Sequence, residues 1–448
     1  VPTIAQGRTV APDRSAMSAV PGCGLPMKPV RLRVPSGNIP RAPPFLRMRS
    51  AAASVHPQGK SLLLTSRGKL IFLSNWEGAV RQLGERQGVR YRLADWLSDS
   101  KRIITLTDEG CEEGLEIWNV FTGKRVRRFP HQPHGYLWEV VPAPKGNLVA
   151  LADERFRLFL LDVKTGRLKQ IDQGEVDEIR DLAWSPDGRY LAYSRPEMAC
   201  CELFAHNAIA VYDTVKKQRH AVTDAEFHNF SPCFDPEGRY LAFLSRRYFN
   251  PVLDSQELNS AFPLSTKPYL VSLEPNKYSP LFPMPGAEDE GKGAENDKKK
   301  PKPLKVTIDF SHMARRVEEV PSKEGNYHFL TALKGKLLYL SVPQTGMLDD
   351  PWITGKTPAI NSLECYDFAK RKGESLVPGL HSFTVARGGE KLAILAGERL
   401  RVLKAGEKPP ESKPGDDEPH PDTGWLDLGR VRLAVDPRKE WEQIYLEA

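Results

Sequence analysis

The stretch Val176–Tyr193, VDEIRDLAWSPDGRYLAY, contains two short segments rich in apolar residues around a strong turn signal. Residues Ile179–Trp184 favour one β-strand, and Arg189–Ser194 favour a second strand with side chains alternating between its two faces. The residues between them, Ser185–Gly188, suit a tight turn, because proline has the required φ, aspartate can bond to the backbone and glycine accepts a positive φ. This stretch therefore predicts a β-hairpin.

Similar hairpins recur along the chain. The segment Phe234–Phe243, FDPEGRYLAF, is nearly the same sequence, and five more divergent copies bring the number of turns to seven. The turns lie near residues 59, 100, 146, 188, 238, 335 and 389. A repeat of about 40–50 residues made of short strands is typical of a β-propeller, in which each blade packs on its neighbours. We therefore predict an all-β fold, a seven-bladed β-propeller of four-stranded antiparallel blades.

The sequence divides into three parts on this interpretation. An irregular, basic segment with nine prolines covers residues 1–48, the propeller covers 49–435, and the start of a helix covers 436–448. The predicted blades span about 50–83, 90–129, 137–171, 179–222, 229–320, 326–377 and 380–435. The polar run Glu288–Lys302 is expected to be a solvated loop that lengthens blade five. We expect Val306–Phe310 and Arg316–Val320 to supply the outer strand region of blade five, and Trp425–Val435 to complete blade seven.

The last thirteen residues have a helical pattern. Asp436 suits the N-cap and Pro437 suits the first helical position. The residues that then fall on one apolar face are Trp441, Ile444, Tyr445 and Ala448. We expect this face to pack on a following domain. Because so short a helix is unstable alone in water, we expect it otherwise to fray, or to contact the propeller through Trp441.

Charge and composition exclude several classes of function. The net charge is +7, but the first 49 residues hold eight of the 64 basic and only one of the 57 acidic residues, so the rest is neutral overall. The body of the chain therefore has no basic surplus for nucleic acid. No run approaches the ~18 apolar residues of a membrane span. The six cysteines lack zinc-site spacing, and we expect reduced thiols in a cytoplasmic protein that needs no cofactor.

Catalytic motifs are missing from the sequence, which contains no G-x-S-x-G elbow, P-loop or paired-histidine metal motif. We therefore predict that this chain has no active site of its own. His131 and His134 are expected in a solvated loop, and the acidic segment Asp108–Glu113 at an exposed hairpin tip. The pairs Arg246-Arg247 and Arg315-Arg316 are more typical of a surface, although each could bind a peptide carboxylate through two hydrogen bonds.

Polar residues near the starts of the predicted innermost strands are the candidate functional residues. They would line an axial channel, and the alternative is that they only cap strand ends. These substrate-channel candidates are Arg90, Arg92, Glu139, Arg180, Asp181 and His228.

Three stretches resemble one protein family. Arg67–Phe72 followed by Gly78–Leu83 resembles the first blade of the second propeller in tricorn-type proteases. Val306–Phe310, with Arg316, Val317 and Pro321 after it, is similar to the outer strand that precedes that propeller's sixth blade. The most specific match is GWLDLGRV at Gly424–Val431 with DPRKEW at Asp436–Trp441, which resembles the family's passage from propeller to catalytic core.

This resemblance implies a context for the propeller. Tricorn proteases are large cytoplasmic serine proteases that trim peptides downstream of larger proteases, and they contain two propellers, core domains and a PDZ-like domain. The second propeller would filter the access of unfolded peptides, and the catalytic serine and histidine would lie beyond Ala448. The implied partners are unfolded peptides, the core and PDZ-like domains and further copies of the same protein, but not nucleic acid or membrane.

Two alternatives stay open from the sequence. The hairpin repeat alone is shared with other propellers, including TolB-like and WD-repeat-like ones, so the chain could be a free-standing TolB-like platform for protein interactions. It could also be the propeller of a prolyl-oligopeptidase-like hydrolase.

Overall fold

The computed structural model describes residues 52–447 apart from positions 85, 110–112, 130–134, 202–203, 254–259, 276–278, 283–303, 347–358, 411–417 and 434–435. The predicted irregular segment 1–48, the polar run Glu288–Lys302 and the residues His131, His134, Cys23 and Cys111 lie outside the described residues. Within the described ranges, no helix is both long and apolar enough to cross a membrane.

The hairpin that defines the repeat forms as predicted. Its strands pair antiparallel, with Trp184 opposite Leu191, and the amide of Gly188 donates to the carbonyl of Ser185 at 2.8 Å. The side chain of Asp187 accepts from the Ser185 hydroxyl at 2.6 Å and holds the turn closed. All seven predicted turns contain a residue with positive φ, namely Gly59, Ser100, Gly146, Gly188, Gly238, Gly335 and Gly389. The same local chemistry therefore builds every blade.

The described strands form seven antiparallel blade sheets and one separate two-stranded sheet, and the strands pair mostly in chain order. Blade one contains β1 (Ala52–Val55), β2 (Ser61–Ser66), β3 (Lys69–Ser74) and β4 (Arg81–Leu83). Blade two contains β5 (Tyr91–Trp96), β6 (Arg102–Thr107), β7 (Gly114–Asn119) and β8 (Lys124–Phe129). Blade three contains β9 (Leu137–Pro142), β10 (Leu148–Asp153), β11 (Arg157–Asp162) and β12 (Leu168–Gln173). Blade four contains β13 (Arg180–Trp184), β14 (Tyr190–Cys201), β15 (Phe204–Asp213) and β16 (Gln218–Ala221).

Blade five carries an inserted hairpin between its second and third strands. Its strands are β17 (His228–Phe234), β18 (Tyr240–Arg246), the inserted pair β19 (Val252–Leu253) and β20 (Ser260–Ala261), then β21 (Thr266–Ser272) and β22 (Val317–Glu319). Blade six contains β23 (Tyr327–Leu333), β24 (Lys336–Ser341), β25 (Asn361–Asp367) and β26 (Lys372–Leu380), and blade seven contains β27 (Ser382–Val385), β28 (Lys391–Ala396) and β29 (Arg399–Lys404). The prediction of a seven-bladed, all-β propeller with four-stranded antiparallel blades is confirmed: six blades contain four strands each, and three strands of blade seven are described.

Apolar side chains pack between the blades. The buried residues form seven clusters, and each cluster joins two neighbouring blades, including the pair formed by blade seven and blade one. The cluster that closes the ring contains Leu62 and Ile71 from blade one and Ala393 and Val402 from blade seven. Each blade thus buries both of its faces only when the ring is complete.

The segment after blade seven differs from the prediction. Trp425 forms a single bridge to Arg401, and a short 3-10 turn, Leu428–Arg430, replaces the expected outer strand. Leu426 is buried in the ring-closing cluster. The Arg430 guanidinium donates to backbone carbonyls of blade one at 2.8–3.3 Å, because the chain here crosses back over that blade. Similarly, Val306–Phe310 packs in the core beside blade five without forming a strand.

The C-terminal helix α1 (Pro437–Glu447) lies against blades one and two. Glu440 pairs with Arg67, and the Gln443 amide donates to Asp108 Oδ2 at 2.5 Å. Trp441 is 68% exposed and Tyr445 is 77% exposed. The helix therefore contacts the propeller through polar side chains, and the prediction that Trp441 would make this contact is wrong.

Candidate functional site

The innermost strands of four blades share a bulge at one position. In β13 the pairing with β14 shifts between Arg180 and Ala183, and Asp181 within the shift has φ 59°. The equivalent shifts in three other blades contain Leu93, Ser231 and Phe329, each also at positive φ. A bulge bends its strand and re-aims a side chain. These four residues lie six or seven positions before the turn of their blade, so one local irregularity recurs around the axis.

Carboxylates connect these bulges from blade to blade. Glu139, on β9, accepts the backbone N–H of Asp181 at 2.8 Å and that of Leu182 at 3.0 Å. Asp181 in turn accepts the backbone N–H of Ser231 at 2.9 Å and the Ser194 hydroxyl at 2.8 Å. Because a bulge frees N–H groups from the strand ladder, these carboxylates satisfy donors that would otherwise lack a partner.

Glu139 has an unusual environment for an acid. Burial raises the pKa of its carboxyl to about 7, and the nearby Asp181 carboxylate contributes to that rise. The two backbone N–H donors lower the pKa and only partly offset the burial. Glu139 therefore changes its protonation state near neutral pH while bridging blades three and four.

A cavity of about 280 Å³ lies beside these residues. It is bounded by the innermost strands of four consecutive blades, four to seven, which places it at the propeller axis. Phe329 is 60% exposed, an unusual state for a large apolar side chain on an inner strand. The cavity mixes apolar and polar groups, and its lining consists of Asp181, Leu182, Ser231, Pro232, Phe329, Leu330, Thr331, Phe383, Thr384 and Val385.

Two of the predicted channel residues, Arg92 and Arg180, each pair with a carboxylate and lie close to an aromatic ring. Arg92 donates to Glu113 Oε1 at 2.7 Å, and its guanidinium carbon lies 3.6 Å from the centre of the Tyr136 ring. Arg180 pairs with Glu178, and its guanidinium carbon lies 4.6 Å from the Trp138 ring centre. Neither arginine belongs to the cavity lining.

Arg90 and His228 occupy equivalent positions, three residues before the bulges of their blades. The backbone N–H of Arg90 donates to Asp108 Oδ1 at 2.7 Å. His228 pairs with Arg246 across the strands, and its ring lies 5.2 Å from that of Phe230. Neither residue lines the cavity. Of the six candidates, the structure places Asp181 in the cavity wall and Glu139 directly behind it.

Sequence reasoning missed most of the cavity wall. Phe329, Phe383 and Ser231 were not candidates, because the candidates were polar residues taken from the first positions of the strands. A usable signal was present, since counting six or seven residues back from the turns of blades four to seven leads to Asp181, Ser231, Phe329 and Phe383.

The fold and this cavity define a seven-bladed propeller domain with an axial site. The chain matches the family described as the tricorn protease second beta propeller domain over residues 50–406, so it belongs to that family.

Individual relatives agree with this assignment. The chain is 29% identical to a putative tricorn-like protease C-terminal subunit of Sulfurisphaera tokodaii, over 87% of this chain and 41% of that protein. It is 28% identical to tricorn protease homolog 1 of Streptomyces coelicolor, over 88% of this chain and 37% of the relative. The chain thus spans about two fifths of the length of these relatives. The crystal structure of the tricorn protease shares the fold, with a TM-score of 0.71 and 21% identity over 88% of this chain and 37% of that structure.

Proposed function

We propose that this propeller is the substrate-gating, non-catalytic portion of a tricorn-like serine protease that trims peptides. In this role, unfolded peptides enter along the propeller axis and pass to a catalytic core in the same parent protein. The observation that carries the proposal is the axial cavity bounded by blades four to seven. Its lining combines apolar groups with a few polar ones, which suits the mixed side chains of a peptide.

The size of the cavity supports selection for unfolded chains. The cavity volume of about 280 Å³ is close to that of the smallest ligand pockets. Such a space can hold a few side chains but is far smaller than a folded domain. Extended peptide can pass its side chains through such a space one after another, because each residue advances by about 3.3 Å.

The helix α1 supports a neighbouring catalytic core as the partner. Its exposed apolar residues are Trp441, Ile444 and Tyr445, while its polar side already contacts the propeller. Burial of such side chains contributes about 1.5–3 kcal/mol each, enough to fix a domain against this helix. The proposal includes a PDZ-like domain in the parent and assembly into oligomers, as in the family. It also places the protein in the cytoplasm, which the free thiols of Cys233 and Cys365 support.

The test blocks the cavity in the purified chain. Binding of a fluorescein-labelled, unstructured peptide of about 12 residues, long enough to cross the cavity in extended form, is measured by anisotropy for the unaltered chain and for Thr384→Trp. Thr384 lies in the cavity wall, so an indole there fills much of the space, and we expect peptide binding to weaken at least about tenfold.

The matched control is Thr165→Trp, at an exposed hairpin turn of blade three, which should leave peptide binding unchanged. Equal binding by the Thr384→Trp variant would contradict axial gating and would instead favour an interaction platform on the outer surface.

A further inference from the structure

Arg246 is the last residue of β18, in blade five. Among the residues that the structure describes, no carboxylate pairs with its guanidinium and no acceptor receives a hydrogen bond from it. The adjacent Arg247 is different, since it donates to Ser245 Oγ at 2.9 Å and to Asn229 Oδ1 at 3.2 Å. By contrast, Arg92 and Arg180 on innermost strands and Arg195 on the second strand of blade four are all ion-paired.

The guanidinium of Arg246 is accessible to a ligand. The side chain is exposed to solvent, yet desolvation by the surrounding protein lowers its pKa. A solvent-accessible guanidinium that pairs with no described carboxylate can donate to an anionic ligand.

A second basic side chain stands close to Arg246. The guanidinium carbon of Arg246 lies 5.6 Å from the centre of the Phe230 ring, and the ring of His328, from blade six, lies 6.2 Å from that centre. Burial lowers the pKa of His328, and the charge of Arg246 lowers it further. Phe230 itself is buried and holds both groups at the boundary between blades five and six.

This cluster continues directly into the axial cavity. The ring of His328 lies 6.3 Å from that of Phe329, which lines the cavity together with Asp181. Each residue of extended peptide advances by about 3.3 Å, so about five or six residues are enough to connect a side chain in the cavity with a carboxylate beside Arg246.

We propose that Arg246, with His328 and Phe230 beside it, binds a carboxylate of the peptide that occupies the axial cavity. The guanidinium supplies two parallel donors that match a carboxylate. The neighbouring imidazole is bonded through Nε2 to Asn326 Oδ1 at 3.1 Å, which fixes the ring beside the guanidinium. The carboxylate is either the free C-terminus or an acidic side chain, since both present the same atoms. This inference rests on the proposed peptide-gating function and adds a preference for how the peptide is oriented or which sequence it carries.

The experiment compares three labelled peptides of one unstructured sequence on the full chain by fluorescence anisotropy. The first has a free C-terminal carboxylate, the second a C-terminal amide, and the third an amide with one internal Gln replaced by Glu. We expect the acid form to bind about tenfold more tightly than the plain amide, since a charge-assisted pair contributes about 1.4 kcal/mol or more. Tighter binding of the Glu-containing amide would identify an acidic side chain as the preferred source.

Two substitutions test the role of the guanidinium. Arg246→Gln should abolish the difference between acid and amide peptides, whereas Arg246→Lys should retain part of it, because lysine keeps the charge but not the forked geometry. Arg167→Gln, at an exposed turn of blade three, is the control and should keep the full difference. If the Arg246→Lys variant still binds the acid peptide more tightly than the amide, this result also shows that the substituted protein is folded.

The outcomes separate this inference from the proposed function. If the unaltered chain binds all three peptides equally, or if Arg246→Gln still discriminates between them, the carboxylate site is wrong while axial peptide binding stands. If no peptide binds to the unaltered chain, both proposals are wrong.

Discussion

The substitution Glu139→Gln tests whether a carboxyl group with a raised pKa links blades three and four. The folded protein raises the pKa of Glu139 from 4.5 to about 7 through burial and the adjacent Asp181. Because the folded state then binds a proton more tightly than the unfolded state, this group adds stability at low pH. That stability is present in full below pH 4.5 and is lost as the pH rises through 7.

The size of the effect follows from the pKa difference. One pKa unit corresponds to about 1.4 kcal/mol, so between about pH 5 and pH 8 the free energy of unfolding should fall by about 2–3 kcal/mol from this group alone. Glutamine cannot ionise, so the variant Glu139→Gln should lack this fall. The measurement is urea-induced unfolding of both proteins at several pH values, followed by tryptophan fluorescence.

The comparison of the two proteins is essential, because other groups titrate in the same range. Burial lowers the pKa of His56, His220 and His328, and each of them adds stability that is lost as the pH falls below about 6.5. These contributions are common to both proteins and cancel in the difference. If the two proteins show parallel stability curves from about pH 5 to pH 8, the argument that Glu139 ionises near neutral pH is refuted.

Three further predictions concern the ring, the turns and the chemistry. Arg430→Met should destabilise the protein by about 2–3 kcal/mol in urea unfolding, because charged hydrogen bonds to blade one are lost; an effect below about 0.5 kcal/mol would contradict this. Gly188→Ala, whose new Cβ would lie 2.8 Å from the Lys145 carbonyl oxygen, should lower the thermal midpoint more than Gly335→Ala, where no atom lies within 4 Å; equal shifts would count against the packing argument. The purified chain should not cleave fluorogenic peptides, and turnover that a serine-directed inhibitor blocks would overturn the non-catalytic assignment.

The blade count could be predicted from the sequence because turn chemistry is local. A proline, an aspartate and a glycine within four residues favour a tight turn wherever they occur, and Gly188 and Gly238 indeed have positive φ. Short alternating strands on both sides then define a hairpin, and the repeat length limits the fold to a ring of blades. The segment around Trp425 was harder to predict, since a single bridge and a strand have similar local patterns.

The axial site could not be predicted in the same way. A bulge at Asp181 or Ser231 shifts the alternation by one residue, so the pattern along the strand no longer shows which side chain reaches the axis. Asp181 was identified because it is charged, whereas Phe329 resembles an ordinary core residue until its exposure is seen.

The sequence by itself therefore determined the all-β class, the repeated hairpins and the seven blades, since these depend on contacts between residues close in the chain. Only the tertiary structure decided which groups meet across blades. Arg246 and His328 are brought to one phenylalanine ring by the packing of two blades, and Arg430 reaches Ser74 only because the ring closes. Contacts between such distant residues depend on how the sheets stack, and no local spacing in the chain encodes that arrangement.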